Sequence, residues 1–135
     1  MIRKYFYIIT VIVIVLNSGC SIKKEDAKKL QDIEFTVVAP EDVPDEMKED
    51  IEKARNTPFR LSYTDQGYLY MARGYGEKES SGYSVEVNEC YETSDSIRIR
   101  TTLLGPEKGE KVKETKTYPY VVMKTEYREK NVVFE

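Results

Sequence analysis

The chain has 135 residues, with 21 Lys and Arg against 24 Asp and Glu, for a net charge of −3. It contains no histidine, which removes the Ser-His-Asp and Cys-His arrangements and the commonest transition-metal ligand, so no cofactor or metal is expected. A mildly acidic balance also disfavours nucleic acid as a partner, because phosphate binding needs a basic patch.

Residues 1–19 read as an export signal. Arg3 and Lys4 open it, Tyr5 to Leu16 is apolar apart from Thr10, and Ser18-Gly19 leads into Cys20. The apolar run is about a dozen residues, short of the roughly 20 that span a bilayer. A cysteine after a small pair resembles the bacterial lipobox, in which the new N-terminal cysteine carries lipid. Here Asn17 stands where that motif usually has leucine. The resemblance implies a palmitate-type anchor on Cys20, at the extracytoplasmic face of the cell membrane. An uncleaved N-terminal anchor and an unrelated apolar segment are the other readings.

Cleavage before Cys20 leaves 116 residues, 19 basic and 24 acidic, enough for one compact domain. Residues 20–31 are polar and charged and read as a tether, and the domain is expected to occupy 32–135. Asp32 to Val38 alternates Ile33, Phe35 and Val37 against polar residues, the signature of one half-buried strand. Met47, Ile51 and Ala54 then fall on one face of a helix expected over Pro44 to Arg55, with acids crowding its first turn. Its other face is charged, so it should cover a sheet on one side only.

From Pro58 onward the pattern is β. Phe59, Leu61 and Tyr63 alternate, Asp65-Gln66-Gly67 makes a turn, and a strand follows over Tyr68 to Ala72. Tyr83, Val85 and Val87 form the next strand, with Gly82 as a special backbone position before it. Thr93-Ser94-Asp95 turns into Ile97, Ile99 and Thr101. After a Gly/Pro/Lys loop come YPYVVMKTE and a last strand over Asn131 to Phe134. Pro119 belongs at a strand start, an edge or a bulge. The fold expected is α+β: a predominantly antiparallel sheet of five to six strands packed with one amphipathic helix.

Little in the chain invites chemistry. Gly74-Tyr75-Gly76 lacks the third glycine and the helix of a dinucleotide fingerprint. Glu25-Asp26 and Glu49-Asp50 lie on solvated segments, and neither calcium-loop spacing nor a P-loop is present. Cys90 has no histidine to act as its base and reads as a small buried filler. No enzymatic activity is expected. Recognition is better served: polar loops over 76–82 and 105–117, the second carrying Lys108, Lys111 and Lys113, flank several tyrosines.

Taken together, GYLYMARGYGEKESSGYSVEV and IRIRTTLLGPEKGEKVKETKTYPYVVMK resemble the C-terminal domain of the PrcB-type protease complex subunits. The features fall on Gly74, on Ser81-Gly82-Tyr83, on Pro106 and Gly109, and on Tyr118 to Val122, within about Phe59 to Lys124. Ser81 stands where a glycine is often found. The resemblance implies a non-catalytic cell-surface lipoprotein module that binds and stabilises an exported serine protease or its complex. The contact surface is expected on two mobile loops, with Tyr75, Gly82, Tyr83, Gly105, Pro106, Gly109 and Tyr118 as its residues. Protease inhibition through the same loops, or a structural role in an envelope or spore surface, are the alternatives.

Overall fold

A computed structural model describes residues 28–135. The signal, Cys20 and most of the tether lie outside them. Eight strands follow in chain order: β1 Gln31–Asp32, β2 Thr36–Val37, β3 Pro58–Asp65, β4 Tyr68–Tyr75, β5 Ser84–Glu92, β6 Ser96–Leu104, β7 Tyr120–Glu126 and β8 Asn131–Phe134. Between β2 and β3 come a short 3-10 turn, Pro40–Asp42, and the helix α1, Asp45–Ala54.

The α+β class holds, but the strands form two four-stranded sheets rather than one. The first runs β1-β5-β6-β8 and the second β2-β7-β4-β3. Ile33, Leu69, Met71, Cys90, Ile97, Ile99, Val121 and Met123 form the layer between them. On the far face of the second sheet, Val43, Met47 and Ile51 pack on Phe59, Tyr70, Ala72 and Val122. The order of layers is therefore sheet, sheet, helix.

The second sheet has apolar neighbours on both faces, so its middle strands cannot alternate. Leu69, Tyr70, Met71 and Ala72 are all buried in β4, and Val121, Val122 and Met123 in β7. The first sheet has a wet outer face, and there alternation survives. Its outward residues pair by charge, with the Arg100 guanidinium 2.5 Å from the Glu89 carboxylate and Arg98 3.4 Å from that of Glu135.

Three details depart from the sequence pattern. The expected single strand over Asp32 to Val38 is two short ones in different sheets. The Ile33 N–H donates to the Cys90 carbonyl at 2.9 Å, and three residues later Thr36 pairs with Lys124. Burying Ile33 and Phe35 between the layers carries the chain across, so the periodicity persists while the ladder changes partner. Leu30 and Gln31, read as tether, already pair with Glu92.

The second departure is a bulge in β5 between Val87 and Glu89. The extra residue switches which parity faces inward, from Val85 and Val87 to Cys90 and Glu92. The third is β8, which runs parallel to β6, the exception in an otherwise antiparallel fold.

Local signals account for the turns and the helix. Gln66 and Gly67 both have positive φ, 50° and 84°, as a two-residue type I′ hairpin requires. Asp45 and Glu46 occupy the first turn of α1, where the dipole favours acids, and Lys53 its last.

The chain returns from the second sheet to the first between β7 and β8, and one carboxylate anchors that passage. Glu92, at the end of β5, accepts from Arg128 Nε at 2.7 Å and from Lys130 Nζ at 3.0 Å. Lys130 also donates to the Thr93 carbonyl at 2.7 Å. The Lys130 bond is the main influence holding the Glu92 carboxyl below its ordinary pKa, helped by Gln31 and Arg128 and opposed by desolvation. A carboxylate with a depressed folded pKa stabilises above its unfolded pKa, and loses that effect as pH falls through the folded one. Glu92→Gln should therefore lower the melting temperature at pH 7, and the gap to wild type should close as the pH is taken below about 4. Melting curves across that range check it; a constant gap would refute the assignment.

Candidate protein-binding surface

At the end of the sandwich where β4 stops, the two loops meet. Tyr75 closes β4, its N–H donating to the Pro119 carbonyl at 3.1 Å. Gly76 follows at φ +83°, close against Pro58, and the Glu77 N–H donates to Asn56 O at 3.2 Å. Rather than standing apart as mobile segments, the loops are then stitched to each other. Lys78 and Thr117 exchange both backbone bonds, at 2.8 and 3.0 Å. The Ser81 N–H donates to Lys113 O at 3.0 Å, and the Lys113 N–H donates to Ser81 Oγ at 2.8 Å. The Thr117 hydroxyl donates to Ser80 O at 2.7 Å. Each bond satisfies a loop backbone group that would otherwise need water.

Six of the seven residues picked from the sequence line this stitched region. Gly82 has φ +98°, and a Cβ there would press on Pro106 and Val112 at 3.0–3.1 Å. A Cβ on Gly105 would meet the Tyr83 ring at 3.3 Å. Gly82, Tyr83, Gly105 and Pro106 are therefore one knuckle, placed where β5 begins opposite the end of β6. Tyr118 donates to Glu77 Oε1 at 3.4 Å, and Lys116 pairs with Glu77 at 3.3 Å. The Tyr75 hydroxyl shares a hydrogen bond with Thr101 of the first sheet. Gly109 lies apart, at the tip of the longer loop; its φ of +86° and the Glu110 N–H to Glu107 O bond of 2.9 Å show a local turn.

What the pattern did not disclose is the set of cations over the tyrosines. Arg55 from the end of α1 lies 4.1 Å from the Tyr118 ring centre, Arg73 4.1 Å from Tyr75, and Lys78 6.0 Å from Tyr83. Such contacts contribute about 0.5–1 kcal/mol each at exposed sites. Only Arg73-Gly74-Tyr75 carries a local signal, because residues i and i+2 share a strand face. The other two need the fold.

Among the described residues, no group of three His, Cys, Asp or Glu is placed to hold a metal. Burial pushes the Cys90 thiol up to about 11, so little of it is thiolate at neutral pH. A cleft of about 880 Å³ lies at the opposite end, where Asp32, Ile33, Phe35, Tyr68, Lys124 and Arg128 line it. Of its cations, Arg128 is paired with Glu92 and Lys124 lies over the Tyr68 ring at 4.1 Å.

Residues 69–126 match the model of a protein family described as PrcB C-terminal. The matched stretch runs from β4 through β7 and includes both stitched loops, in agreement with the resemblance seen in the sequence. No curated protein and no solved structure matches the chain.

Gly82→Ala would force a side chain into a left-handed backbone and onto Pro106. A cost of about 1–3 kcal/mol is expected. The same change should raise amide exchange at Ser81 and Lys113, the residues whose bonds cross between the loops. Thermal unfolding with residue-resolved exchange checks both; unchanged exchange at those amides would show that Gly82 does not set the stitching.

Proposed function

With its PrcB C-terminal segment as the starting point, we propose that this protein is a non-catalytic module that binds and stabilises an exported protein of a serine protease complex. The observation that carries the reading is the joined loop surface. Backbone bonds fix it before any partner arrives, so little ordering entropy remains to be lost on binding. It presents tyrosines backed by cations, a residue combination enriched at contact hot spots. Both loops and their tyrosines lie inside the family-matched stretch.

Anchoring fits the same reading. Leu30 and Gln31 join the fold beside Glu92, the last residue of β5, whereas the knuckle adjoins Ser84, its first. At about 3.3 Å per residue the strand separates these points by roughly 26 Å. A lipid on Cys20 would therefore hold the domain by one end and leave the loop surface facing outward. Labelled fatty acid should enter the wild-type protein and be absent from Cys20→Ser; incorporation by both would remove the lipid anchor from the proposal.

The binding test replaces Tyr83 and Tyr118 with alanine in the full-length, membrane-associated protein. Capture of the exported protease should fall by roughly tenfold or more, as loss of two contact aromatics implies. Retained melting behaviour separates this from unfolding. Undiminished capture would place the contact elsewhere. Adding purified domain to the captured protease distinguishes the modes: stabilisation extends the protease's active lifetime, while inhibition lowers its turnover at once.

A further inference from the structure

Of the four strands that end the two sheets, β1 and β2 have two residues each and β8 has four, while β3 has eight. Short edges limit pairing with other chains. The long one is different.

The direction of its free groups follows from the hairpin. Asp65 and Tyr68 close a two-residue turn, so they form a hydrogen-bonded pair, and Tyr63, Leu61 and Phe59 also bond toward β4. The Tyr75 N–H points the other way, to Pro119, as this alternation demands. Arg60, Ser62 and Thr64 thus direct their N–H and C=O groups outward. No other described segment pairs with them. All three residues are exposed, and no proline, lysine or bulge interrupts the strand between them.

Two further features lie beside this edge. Arg60 is paired across the ladder with Arg73, and like charges directly opposite are unfavourable. Neither forms an ion pair among the described residues. Arg73 is half-buried, and burial lowers its affinity for its proton, with Arg60 adding to that effect and Tyr75 opposing it. Here the two charges face each other without a carboxylate between them. Further along, Ser62 and Thr64 line a cleft of about 600 Å³ with Tyr127, Asn131 and Val132, room for the alternate side chains of an added strand.

We infer that the outer edge of β3 is a second binding site, which takes an extended peptide as a fifth strand of its sheet, with an acidic side chain of that peptide lying against Arg60 and Arg73. Backbone bonds to Arg60, Ser62 and Thr64 supply the affinity, and the arginine pair sets the register. β3 itself precedes the family-matched stretch and shares no residue with the knuckle, and Arg73, which lies over Tyr75, is the one residue common to this site and the loop surface.

The test uses a labelled, end-capped peptide of about seven residues, long enough to pair with the edge, in which threonine alternates with one glutamate and two valines. A partner peptide carries lysine in place of glutamate. Fluorescence anisotropy with the described domain in its full chain should show binding of the first and at least roughly tenfold weaker binding of the second, with strong salt dependence. Ser62→Pro removes an outward N–H while leaving the ladder to β4 intact, and should abolish binding without lowering the melting temperature by more than a few degrees. Arg60→Glu, whose carboxylate would pair with Arg73 across the ladder, should erase the preference between the peptides. In the unaltered protein, the amides of Arg60, Ser62 and Thr64 should exchange more slowly once peptide is bound, a readout that needs no variant. Equal affinity for the two peptides, or unchanged exchange at these amides, would overturn the proposal. So would self-association that Ser62→Pro abolishes, since the occupant would then be a second copy of the chain.

Discussion

Met71 and Ala72 are successive residues of β4, both without accessible surface, and they point to opposite faces of one sheet. Across the ladder they pair with Met123 and Val122, which are equally enclosed. Burying a strand on both faces requires a layer on each side. The first sheet supplies one and α1 the other, and each buried aliphatic side chain contributes about 1.5–3 kcal/mol. Two methionines at the centre suit the inter-sheet layer, since an unbranched thioether adapts to the gap that twisted sheets leave. One register further along, Gly74 sits between Phe59 on β3 and Tyr120 on β7, and a Cβ there would fall inside the Phe59 ring. The ring takes the place of the missing side chain, so the helix-facing layer stays continuous.

That arrangement determines where recognition can reside. With its faces covered, the second sheet offers only strand ends and edges to another molecule. At one end the chain is occupied with passing between sheets: Ile33 on the way out, Glu92 with Arg128 and Lys130 on the way back. The other end carries the two longer crossings, β4 to β5 and β6 to β7, which pass between the sheets in opposite directions. Its two loops can therefore pair with each other, and their positions descend from the register of β4, β5, β6 and β7 without any mobile connection.

Much of this was legible in the chain, and the failures share a cause. The hairpin at Gln66-Gly67, the helix face of Met47 and Ile51, the strand start at Pro119 and the positive φ of Gly82 are local properties, set by a few neighbouring residues. Sheet number is not local. A run such as Leu69 to Ala72 says that both faces are buried, yet not by what. The split of the first strand and the bulge near Asn88 leave the alternation of Ile33, Phe35, Val85 and Val87 intact, so periodicity has nothing to report. At the loop surface, six residues were found through glycine, proline and tyrosine chemistry. Arg55 was missed because Tyr118 lies 63 residues away, and Lys78 because the loop that brings it to Tyr83, five residues on, has no regular periodicity.

Those cations bear on what the protein can bind. Arg73 and Lys78 rest on aromatic faces and have no carboxylate partner among the described residues, and Arg60 stands beside Arg73 without one. A tyrosine quadrupole attracts such a charge but does not neutralise it. In a chain with more acids than bases, Arg60 and Arg73 face each other across the ladder with no carboxylate between them on the β3 side of the molecule, while Glu92, Glu89 and Glu135 pair with cations elsewhere. A partner that brings carboxylates to this side gains attraction without first breaking an internal ion pair. The desolvation cost is also shared, because the rings already exclude water from one face of each cation. Acidic complementarity is thus the feature expected of a partner at the loop surface and along β3 alike, and it follows from what the fold leaves unpaired.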